Sequence, residues 1–396
     1  MIIVELRPLP AVRPGGILSC TMARISLVAL TLISMFVIPV TAQHANSNEK
    51  RLLAYYPEWV KFSNPAYTAE KIPYKKLTHI AHAFATLPGN PDGTLRIPED
   101  FIEPALISKA HAAGVKVLLS IGGGDGVQGP RFNRMARDED RRQRFARNVH
   151  TFLETYGYDG VDIDWEVPNA ADRANCTTLM QELRMQELRD ELPASRWIIA
   201  MAIPADPRSW GVGFDVPALA PILDFINVMT YDFHGPWSDH AGHNSPLALN
   251  PDDPELEGSV ETSMDLFAND YAVPPSKLNF GTAFYGYEFR GIRELWEHCD
   301  GCEVIGRNYA GYIKSRVNHG DWKLRYDNQA KAPYLLNEAV PSLITFDDAT
   351  STRRKTNYVL KQRGMGGVFM WDLSADYDGK SQDLLDAMYS AWQWAK

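Results

Sequence analysis

The feature that most constrains the fold is a regular alternation of short apolar runs with helix-like stretches, which starts near residue 50. The runs are Leu52–Trp59, His79–Leu87, Val115–Gly123, Gly160–Glu166, Trp197–Ala205, Phe225–Phe233, Leu278–Gly286 and Gly366–Leu373. Between them, stretches such as DEDRRQRFARNVHTFLETYG repeat apolar residues at helical spacing, with Phe145, Val149, Phe152 and Tyr156 on one face. Eight strand signals that alternate with helices predict an α/β fold, the (β/α)8 TIM barrel. An open doubly wound sheet is the alternative, but no glycine-rich dinucleotide fingerprint follows the first strand.

One segment interrupts this rhythm between the seventh and the eighth run. From Glu288 to Pro341 the chain is rich in Trp, Tyr, Gly and charged residues, without a clear strand-then-helix unit. Loops at the carboxyl ends of barrel strands build the functional face, so an insertion there would raise one wall of a cleft. We therefore expect a signal and upstream segment (1–42), a first barrel part (43–287), a small α+β insertion domain (288–341) and a last barrel part (342–396).

The amino terminus resembles a targeting signal. A positively charged residue precedes the apolar run 25–40, and small residues follow at the position where signal peptidase cuts. The run is short for a membrane span. We therefore expect translation to start at Met22 and the mature chain to begin at Gln43, secreted or periplasmic and free of the membrane. A retained amino-terminal anchor is the alternative.

Charge and cysteine content narrow the classes of protein further. The formal net charge of the 396 residues is −9, which argues against a nucleic-acid partner. Export permits disulfides, and the motif HCDGC contains Cys299 and Cys302. A redox pair or half of a zinc site are alternatives, but no second CxxC completes a four-cysteine zinc site, so we favour a local disulfide. Cys176 is then left as a buried thiol.

The stretch GYDGVDIDWEVP, residues 157–168, has the pattern of a strand and yet carries four acidic residues. Because side chains alternate along a strand, Asp162, Asp164 and Glu166 share one face. The apolar residues between them take the other face: Val161, Ile163 and Trp165. We expect the apolar face to pack on the helices and the acids to line the barrel interior, with Glu166 nearest the mouth. Asp159 precedes the strand, and we interpret it as structural.

Three carboxylates on one face of a buried strand cannot all ionise without a large cost. Protons must be shared and at least one pKa raised, which is what a general acid needs near neutral pH. Pairing with Lys or Arg is the structural alternative, but only Lys116, at the start of the third run, lies in another strand signal. No His or Asp cluster at metal-ligand spacing accompanies the acids, so the sequence favours catalysis without a metal or cofactor.

The segment DGVDIDWE fits the pattern DxxDxDxE, and the sequence resembles the glycoside hydrolase family 18 chitinases. Four further segments resemble this family in the same order: LLSIGGG, NVMTYDFHGPWSDHAGHNSPL, FGTAFYG and GGVFMWDLSADYDG. The resemblance implies a TIM barrel that hydrolyses β-1,4 linkages of chitin or chitooligosaccharides. It also implies net retention by a substrate-assisted route, in which the substrate's N-acetyl oxygen attacks the anomeric carbon to give an oxazolinium. We expect a monomer.

The resemblance also implies roles for single residues. Glu166 would protonate the glycosidic oxygen and later act as base. Asp164 would hold the acetamido N–H, Asp162 would share a proton with Asp164, Tyr231 would bind the acetamido oxygen, and Asp232 would bind the sugar or the acid network.

Other residues are candidates for lining the substrate cleft, with core packing as the alternative for each. The substrate-binding candidates are Trp371, Met229, Tyr56, Phe84, Trp165 and Trp237. Gly122 and Gly123 of the third strand are expected to be structural, and His240 and His243 to support the loop rather than bind a ligand.

Three departures from the family pattern concern the residues expected to form the sugar subsites. The family often has Trp where this chain has Gly124, and an aromatic residue where it has Val167. Its seventh strand commonly reads YGR, whereas here Tyr287 takes the place of the arginine, and Arg290 is a candidate substitute.

Two other functions remain open from the sequence. A relative that cleaves the chitobiose core of N-glycans or bacterial wall glycans would use the same chemistry with other subsites. A catalytically silent lectin would typically lack the acid, and Glu166 is present.

Overall fold

The structure is a computed structural model that describes residues 2–3, 50–189 and 197–396. Ile2–Ile3 pair antiparallel with the short strand Arg96–Ile97. The predicted start at Met22 and the cleavage before Gln43 lie outside the described residues. None of the helices in the described ranges combines the length and hydrophobicity that a membrane span requires.

Eight parallel strands close into a barrel, in the order β8-β1-β2-β3-β4-β5-β6-β7. The strands are β1 (Arg51–Pro57), β2 (His79–Ala85), β3 (Lys116–Gly122), β4 (Gly160–Asp164), β5 (Ile198–Pro204), β6 (Phe225–Met229), β7 (Leu278–Ala283) and β8 (Gly367–Trp371). Each overlaps one of the eight apolar runs, so the TIM barrel prediction is confirmed. The open doubly wound alternative is wrong because β8 pairs with both β7 and β1.

Helices surround the barrel. The α-helices are α1 (Pro104–Ala112), α2 (Gln128–Ala136), α3 (Glu139–Tyr156), α4 (Arg173–Arg189), α5 (Val216–Leu219), α6 (Val260–Asp265), α7 (Ala349–Asn357) and α8 (Asp383–Gln393). Short 3₁₀ turns span Glu58–Phe62, Ala69–Lys71, Tyr74–Lys76, Ala170–Asp172, Pro275–Lys277 and Lys314–Arg316. Single π turns span Leu266–Asp270, Tyr309–Ile313 and Tyr358–Gln362.

Local sequence signals determine where helix α3, which precedes β4, begins and ends. Its amino terminus is capped by Asp138, whose side chain accepts a hydrogen bond from the Arg141 amide. It ends at Gly157, which has a left-handed φ of 76° that favours glycine. The predicted apolar face is buried against the barrel. Strand β4 follows three residues after the cap.

Strand alternation divides the apolar residues into two cores. Residues of one parity, such as Leu52 and Ala54 of β1, pack in the layer between barrel and helices. Residues of the other parity, such as Leu53 and Phe369, pack inside the barrel. The barrel interior is therefore filled with side chains below its mouth.

A second sheet lies between β7 and β8 in the sequence. Its five antiparallel strands are, in spatial order, Glu303–Asn308, Tyr285–Arg290, Ser342–Thr345, Ala332–Asn337 and Trp322–Asp327. Ala241, Phe289, Ile292 and Leu343 form a small core of its own. The sheet extends from residue 285 to residue 345, slightly beyond the predicted insertion at both ends. The domain boundaries themselves stay a prediction.

The cysteines adopt the states expected from the sequence. Cys299 and Cys302 form a disulfide in the loop between the first two strands of the second sheet. Cys176 of α4 is a free and fully buried thiol.

Candidate active site

The acidic residues of the β4 segment lie inside the barrel, as their alternation predicts. Asp162 is fully buried and Asp164 is 4% exposed. Glu166 follows two residues after the strand, at the mouth, and is partly exposed. The intervening apolar residues belong to the helix-facing core: Val161, Ile163 and Trp165. The strand therefore separates its charged and apolar residues between the two sides of the barrel wall.

Asp162 is held by neutral donors from three other strands of the barrel, β1, β3 and β6. Its Oδ2 accepts hydrogen bonds from Tyr55 Oη at 2.9 Å and Ser120 Oγ at 2.8 Å, and its Oδ1 accepts one from Asn227 Nδ2 at 3.1 Å. Burial raises the pKa of Asp162 to about 6, and these hydrogen bonds oppose the rise only in part.

Asp164 and Glu166 form a coupled pair above it. Their carboxyl groups are hydrogen-bonded to each other, which requires a proton between them. Burial, followed by the charges of Glu166 and Asp162, raises the pKa of Asp164 well above its ordinary value. Burial raises the pKa of Glu166 to about 7, although the hydrogen bond with Asp164 opposes the rise.

Two further observations show that this pair can serve a ligand. Among the described residues, no Lys or Arg forms an ion pair with either acid. Within the same part of the chain, Oδ1 of Asp164 is buried without a hydrogen-bond partner. A buried carboxyl oxygen without a donor is costly, so it is available to accept a hydrogen bond from a bound molecule.

The glycines after β3 make room for the pair. Gly122 has a φ of 126°, and a Cβ there would lie 1.9 Å from the Asp164 carbonyl oxygen. At Gly124 a Cβ would lie 2.8 Å from Oε2 of Glu166. The carboxyl group of Glu166 therefore occupies the space that a side chain at position 124 would need. Gly123 has a φ of 102° and lies against the Phe84 ring.

Tyr231 and Asp232 follow β6 and face the same mouth. The Tyr231 ring packs edge-on against Phe369, with centroids 6.1 Å apart. Burial, together with the charge of Asp164, raises the pKa of Tyr231 well above its ordinary value, so its hydroxyl remains a donor. Asp232 has a left-handed φ of 61°, and its amide donates to Asn244 Oδ1 at 2.9 Å.

The carboxyl group of Asp232 contacts the second sheet. The hydroxyl groups of Tyr285 and Tyr287 both donate to its Oδ1, the latter at 2.9 Å. Burial raises the pKa of Asp232, and these two hydrogen bonds oppose the rise. The suggestion that Arg290 replaces the family's arginine is wrong, because its guanidinium binds Glu303 at 2.7 Å on the far side of the sheet. Tyr287, at the position of that arginine in the sequence, is a neutral donor to Asp232.

Aromatic rings form the wall opposite the acids. Trp371, at the end of β8, is partly exposed and stacks on Phe84 with centroids 5.6 Å apart. Tyr55 contacts its edge at 5.6 Å, and Trp59, which is 46% exposed, lies 6.4 Å away. Met229 packs below this group in the barrel interior. Trp237 is 59% exposed and contacts the ring of Tyr287.

Two predicted substrate contacts are wrong. Trp165 is fully buried in the helix-facing core, where its ring stacks on Phe132 at 5.1 Å. Tyr56 is also fully buried on that side, and its hydroxyl group contacts Glu103. Both have the parity that points away from the barrel interior, as the alternation of side chains requires.

Asp159 has a different environment at the other end of the same segment. Its Oδ1 binds Lys116 Nζ at 2.8 Å, and its Oδ2 contacts His111 Nε2 and the Val117 amide, each at 2.8 Å. Although burial alone would raise the pKa of Asp159, hydrogen bonds from Lys116, Val117 and His111 lower it. This environment agrees with a structural role.

Several residues of the site were not predicted from the sequence. They are Tyr55, Ser120 and Asn227 around Asp162, and Tyr285 and Tyr287 around Asp232. Strand alternation places the first three residues on the lumen face once the inward parity of each strand is known. The two tyrosines gave no such signal, since their contact depends on how the second sheet meets the barrel.

Comparison with known proteins identifies the family. The family model described as glycosyl hydrolases family 18 matches residues 51–376. Chitinase A1 of Niallia circulans is 27% identical, with 92% of this chain and 62% of that protein covered. The chain thus spans less than two thirds of that relative. Chitotriosidase-1 of Mus musculus is 30% identical, with 82% of this chain and 73% of that protein covered.

A solved structure shows the same architecture. It is catalytic domain 2 of the Ostrinia furnacalis Group II chitinase, a mutant in complex with (NAG)5. That domain is 26% identical and superimposes with a TM-score of 0.77, covering 87% of this chain and 97% of that chain. Because the family model covers most of the chain and a relative reaches 30% identity over most of its length, this protein belongs to glycosyl hydrolases family 18.

Proposed function

We propose that the protein is a secreted chitinase that hydrolyses β-1,4 linkages between N-acetylglucosamine units with net retention. The observation that carries the proposal is the row of Asp162, Asp164 and Glu166, which runs from the barrel interior to its mouth without a cationic partner among the described residues. Relatives named chitinase or chitotriosidase, and the structural neighbour solved with (NAG)5, support the choice of substrate.

The geometry favours a substrate-assisted route over a two-carboxylate one. Asp164 and Glu166 are next-nearest neighbours in one segment and hydrogen-bonded to each other, so they cannot flank a scissile bond from opposite faces. A retaining enzyme of the ordinary kind needs its two carboxyl groups about 5–5.5 Å apart on either side of that bond. The nucleophile is then best supplied by the substrate itself.

In the first step, Glu166 donates its proton to the glycosidic oxygen. The bond between this oxygen and the anomeric carbon breaks, and its electron pair stays on the departing oxygen. The substrate's acetamido oxygen forms a new bond to the anomeric carbon, which gives the oxazolinium. Glu166 suits the donor role because burial raises its pKa to about 7, so a large fraction is protonated near neutral pH.

The neighbouring groups orient and stabilise this intermediate. The unpartnered Oδ1 of Asp164 accepts a hydrogen bond from the acetamido N–H. The Tyr231 hydroxyl group donates to the acetamido oxygen, and the charge of Asp162 helps to keep Asp164 protonated by raising its pKa. The barrel holds these groups in place before the substrate binds, and preorganised dipoles of this kind usually contribute more to rate acceleration than any other single effect.

In the second step, a water molecule attacks the anomeric carbon from the face that the leaving group vacated. Glu166, now a carboxylate, takes the proton from this water. The bond to the acetamido oxygen breaks, and the product keeps the original configuration. Trp371 forms the floor on which the distorted sugar ring stacks, with Phe84 behind it.

Time-resolved NMR of chitooligosaccharide cleavage tests the proposal. We expect the wild type to release the β-anomer first, and Glu166→Gln to hydrolyse on the order of 10³-fold more slowly while still binding the oligosaccharide. Glu103→Gln is the matched control, because it exchanges a partly buried carboxyl group on the helix-facing side. First release of the α-anomer, or unchanged turnover by Glu166→Gln, would overturn the mechanism.

Binding without cleavage by the wild type would instead support the lectin alternative. Export, the cleavage before Gln43 and the monomeric state stay predictions, which amino-terminal sequencing of the secreted protein and light scattering test.

A further inference from the structure

A cluster of metal-binding side chains lies in the loop that follows β6, apart from the acids of the barrel mouth. Its members are His234, His240 and Asp253, and their ligand atoms all lie within 4.8 Å of one another. The three side chains are 0%, 2% and 5% exposed, respectively. The two Nε2 atoms are 3.0 Å apart, and Asp253 oxygens lie 3.3 Å from His240 Nε2 and 3.5 Å from His234 Nε2.

The contacts of Nδ1, on the other side of each imidazole ring, help to determine whether Nε2 carries a hydrogen or a lone pair. Nδ1 of His234 lies 3.1 Å from the His243 carbonyl oxygen, and Nδ1 of His240 lies 2.7 Å from Asp239 Oδ1. Both partners only accept, so each Nδ1 carries the hydrogen. A neutral ring then presents the lone pair of Nε2. Two Nε2 atoms and a carboxylate therefore face one buried point, and they repel unless a proton or a metal ion lies between them.

The spacing of the three ligands fits a small tetrahedral ion. Zinc bonds of 2.0–2.1 Å to nitrogen and oxygen imply ligand–ligand separations of roughly 3.3–3.4 Å. The observed separations of 3.0, 3.3 and 3.5 Å bracket this value. A carbonyl group or carboxylate bound to the remote nitrogen is also the usual second contact of a metal-binding histidine.

The local charge also suits a divalent cation. Asp253 contributes one negative charge, and Glu257 is close enough for its charge to act on both histidines. With Asp239 at His240 Nδ1, three carboxylates lie around the two imidazole rings, and this negative charge favours a divalent cation. Imidazole ligands favour Zn²⁺ over Mg²⁺ or Ca²⁺, which prefer oxygen.

We propose that His234, His240 and Asp253 bind one structural Zn²⁺ ion, with water in the fourth position. This assignment replaces the sequence-based interpretation of His240 as loop support alone. The ion would tie together two parts of the loop after β6, one with His234 and His240 and the other with Asp253. The segment next to the disulfide packs on this loop. That segment already contacts the loop through backbone bonds of 2.8 Å from the Trp296 amide to Ala241 and of 2.9 Å from the Ala241 amide to Glu297.

The site's position links it to the barrel mouth. His234 follows Asp232 by two residues, and the Trp296 ring covers His234 and His240 with centroids 5.7 and 6.2 Å away. A metal ion here would fix one end of the loop that carries Asp232. It takes no part in the proposed hydrolysis, so its presence is independent of that proposal.

Metal binding by the untagged full chain tests the inference. The protein is stripped with a chelator, dialysed against Zn²⁺ and desalted, and its zinc is measured by elemental analysis. Affinity is measured by competition with a chromophoric chelator, and the visible spectrum of the Co²⁺-loaded protein reports tetrahedral geometry. We expect one zinc per chain, with affinity at least about 100-fold weaker in His240→Gln and in Asp253→Asn.

His298→Gln is the matched control, since this exposed histidine pairs with His240 in a backbone bridge but lies outside the ligand cluster. It should bind zinc like the wild type. Zinc should also raise the Tm of the wild type and of His298→Gln but not of His240→Gln. Because each protein is compared with and without zinc, this measurement remains valid for a variant that is less stable. If the wild type retains no more zinc than the double variant His240→Gln/Asp253→Asn, the proposal is overturned, and shared protons hold the cluster.

Discussion

The two ends of the β4 segment carry acidic residues in opposite environments. At the amino-terminal end, Asp159 is bound by Lys116 and His111, and its pKa is lowered. Beyond the carboxyl-terminal end, Asp164 and Glu166 contact each other and no cation among the described residues, and burial raises both pKa values. The same residue types a few positions apart therefore serve as an ion-pair anchor and as a proton-holding pair.

This difference shows that the charge of the hydrogen-bonding partner, more than burial, determines whether the pKa of a carboxyl group is raised or lowered. Asp172 is fully buried, yet Arg137 binds it with two hydrogen bonds of 2.7 and 2.8 Å and its pKa is lowered against the effect of burial. Arg307 likewise binds Glu288 of the second sheet, and the pKa of Glu288 is lowered although burial alone would raise it. The donors that bind Asp162 in the described part of the chain are neutral, and burial raises its pKa to about 6. A group that must exchange protons is best surrounded by neutral partners.

The largest expected effect is on catalytic activity, which should fall after a substitution at one end of the β4 segment and not at the other. Asp164→Asn should lower kcat/KM on chitooligosaccharides by roughly 10²–10⁴-fold, because it removes the shared proton and replaces the carboxylate acceptor for the acetamido N–H by a weaker amide oxygen. Asp159→Asn is the control and should change kcat/KM by less than about threefold, since its carboxyl group contacts His111, Lys116 and the Val117 amide at the opposite end of the segment. Steady-state kinetics measures both, and equal losses would refute the division of roles.

The next effect is on the pH dependence of hydrolysis. Because Glu166 acts as the acid in its protonated form, kcat/KM should decline as the pH rises through about 7, the raised pKa of this group. This decline of kcat/KM should be absent from the residual activity of Glu166→Gln. A decline that begins only near the ordinary pKa of glutamate, or one that persists in the variant, would show that another group titrates.

Stability should respond in opposite directions at the two ends. The folded-state pKa of Asp164 is raised, so its ionisation costs stability as the pH rises above 3.8, and Asp164→Asn should stabilise the protein by about 1–2 kcal/mol at pH 8. The folded-state pKa of Asp159 is lowered, so its contribution is present above 3.8 and is lost as the pH falls through the lowered value.

Asp159→Asn should therefore destabilise by roughly 1 kcal/mol near neutral pH, with the exposed fractions of Lys116 and His111 limiting the loss. Both differences should shrink below pH 4. Denaturant titrations of the three proteins at pH 8 and at pH 3.5 measure them, and shifts of the same sign would contradict the comparison.

The smallest effect concerns the link between the second sheet and the site. Tyr287→Phe removes one donor to Asp232 and should lower kcat/KM about two- to fivefold, corresponding to roughly 0.5–1 kcal/mol. Tyr312→Phe is the control, because it removes a Tyr–carboxylate hydrogen bond of 2.9 Å to Glu288, a residue of the same sheet. An equal loss in both variants would indicate a general weakening of the sheet.

Strand periodicity predicted much of the site because it is a local property of the chain. The eight strands and the inward face of Asp162 and Asp164 follow from apolar runs and alternation. The same alternation, applied to β1, would have chosen Tyr55 over Tyr56, but the sequence does not say which parity of that strand faces inward. For Trp165, the inward parity of its acidic neighbours already placed its side chain on the helix-facing side.

The sequence by itself determined the barrel, the family motif and the placement of the acids, since these depend on short-range periodicity and on residues close together in the chain. Only the tertiary structure decided the partners: Tyr55 and Asn227 on Asp162, Tyr285 and Tyr287 on Asp232, and Asp253 beside His234 and His240. Most of these contacts join residues far apart in the chain, and no local pattern encodes them. Partners set the pKa of a buried group, so the chemistry of the site emerges only when the barrel closes.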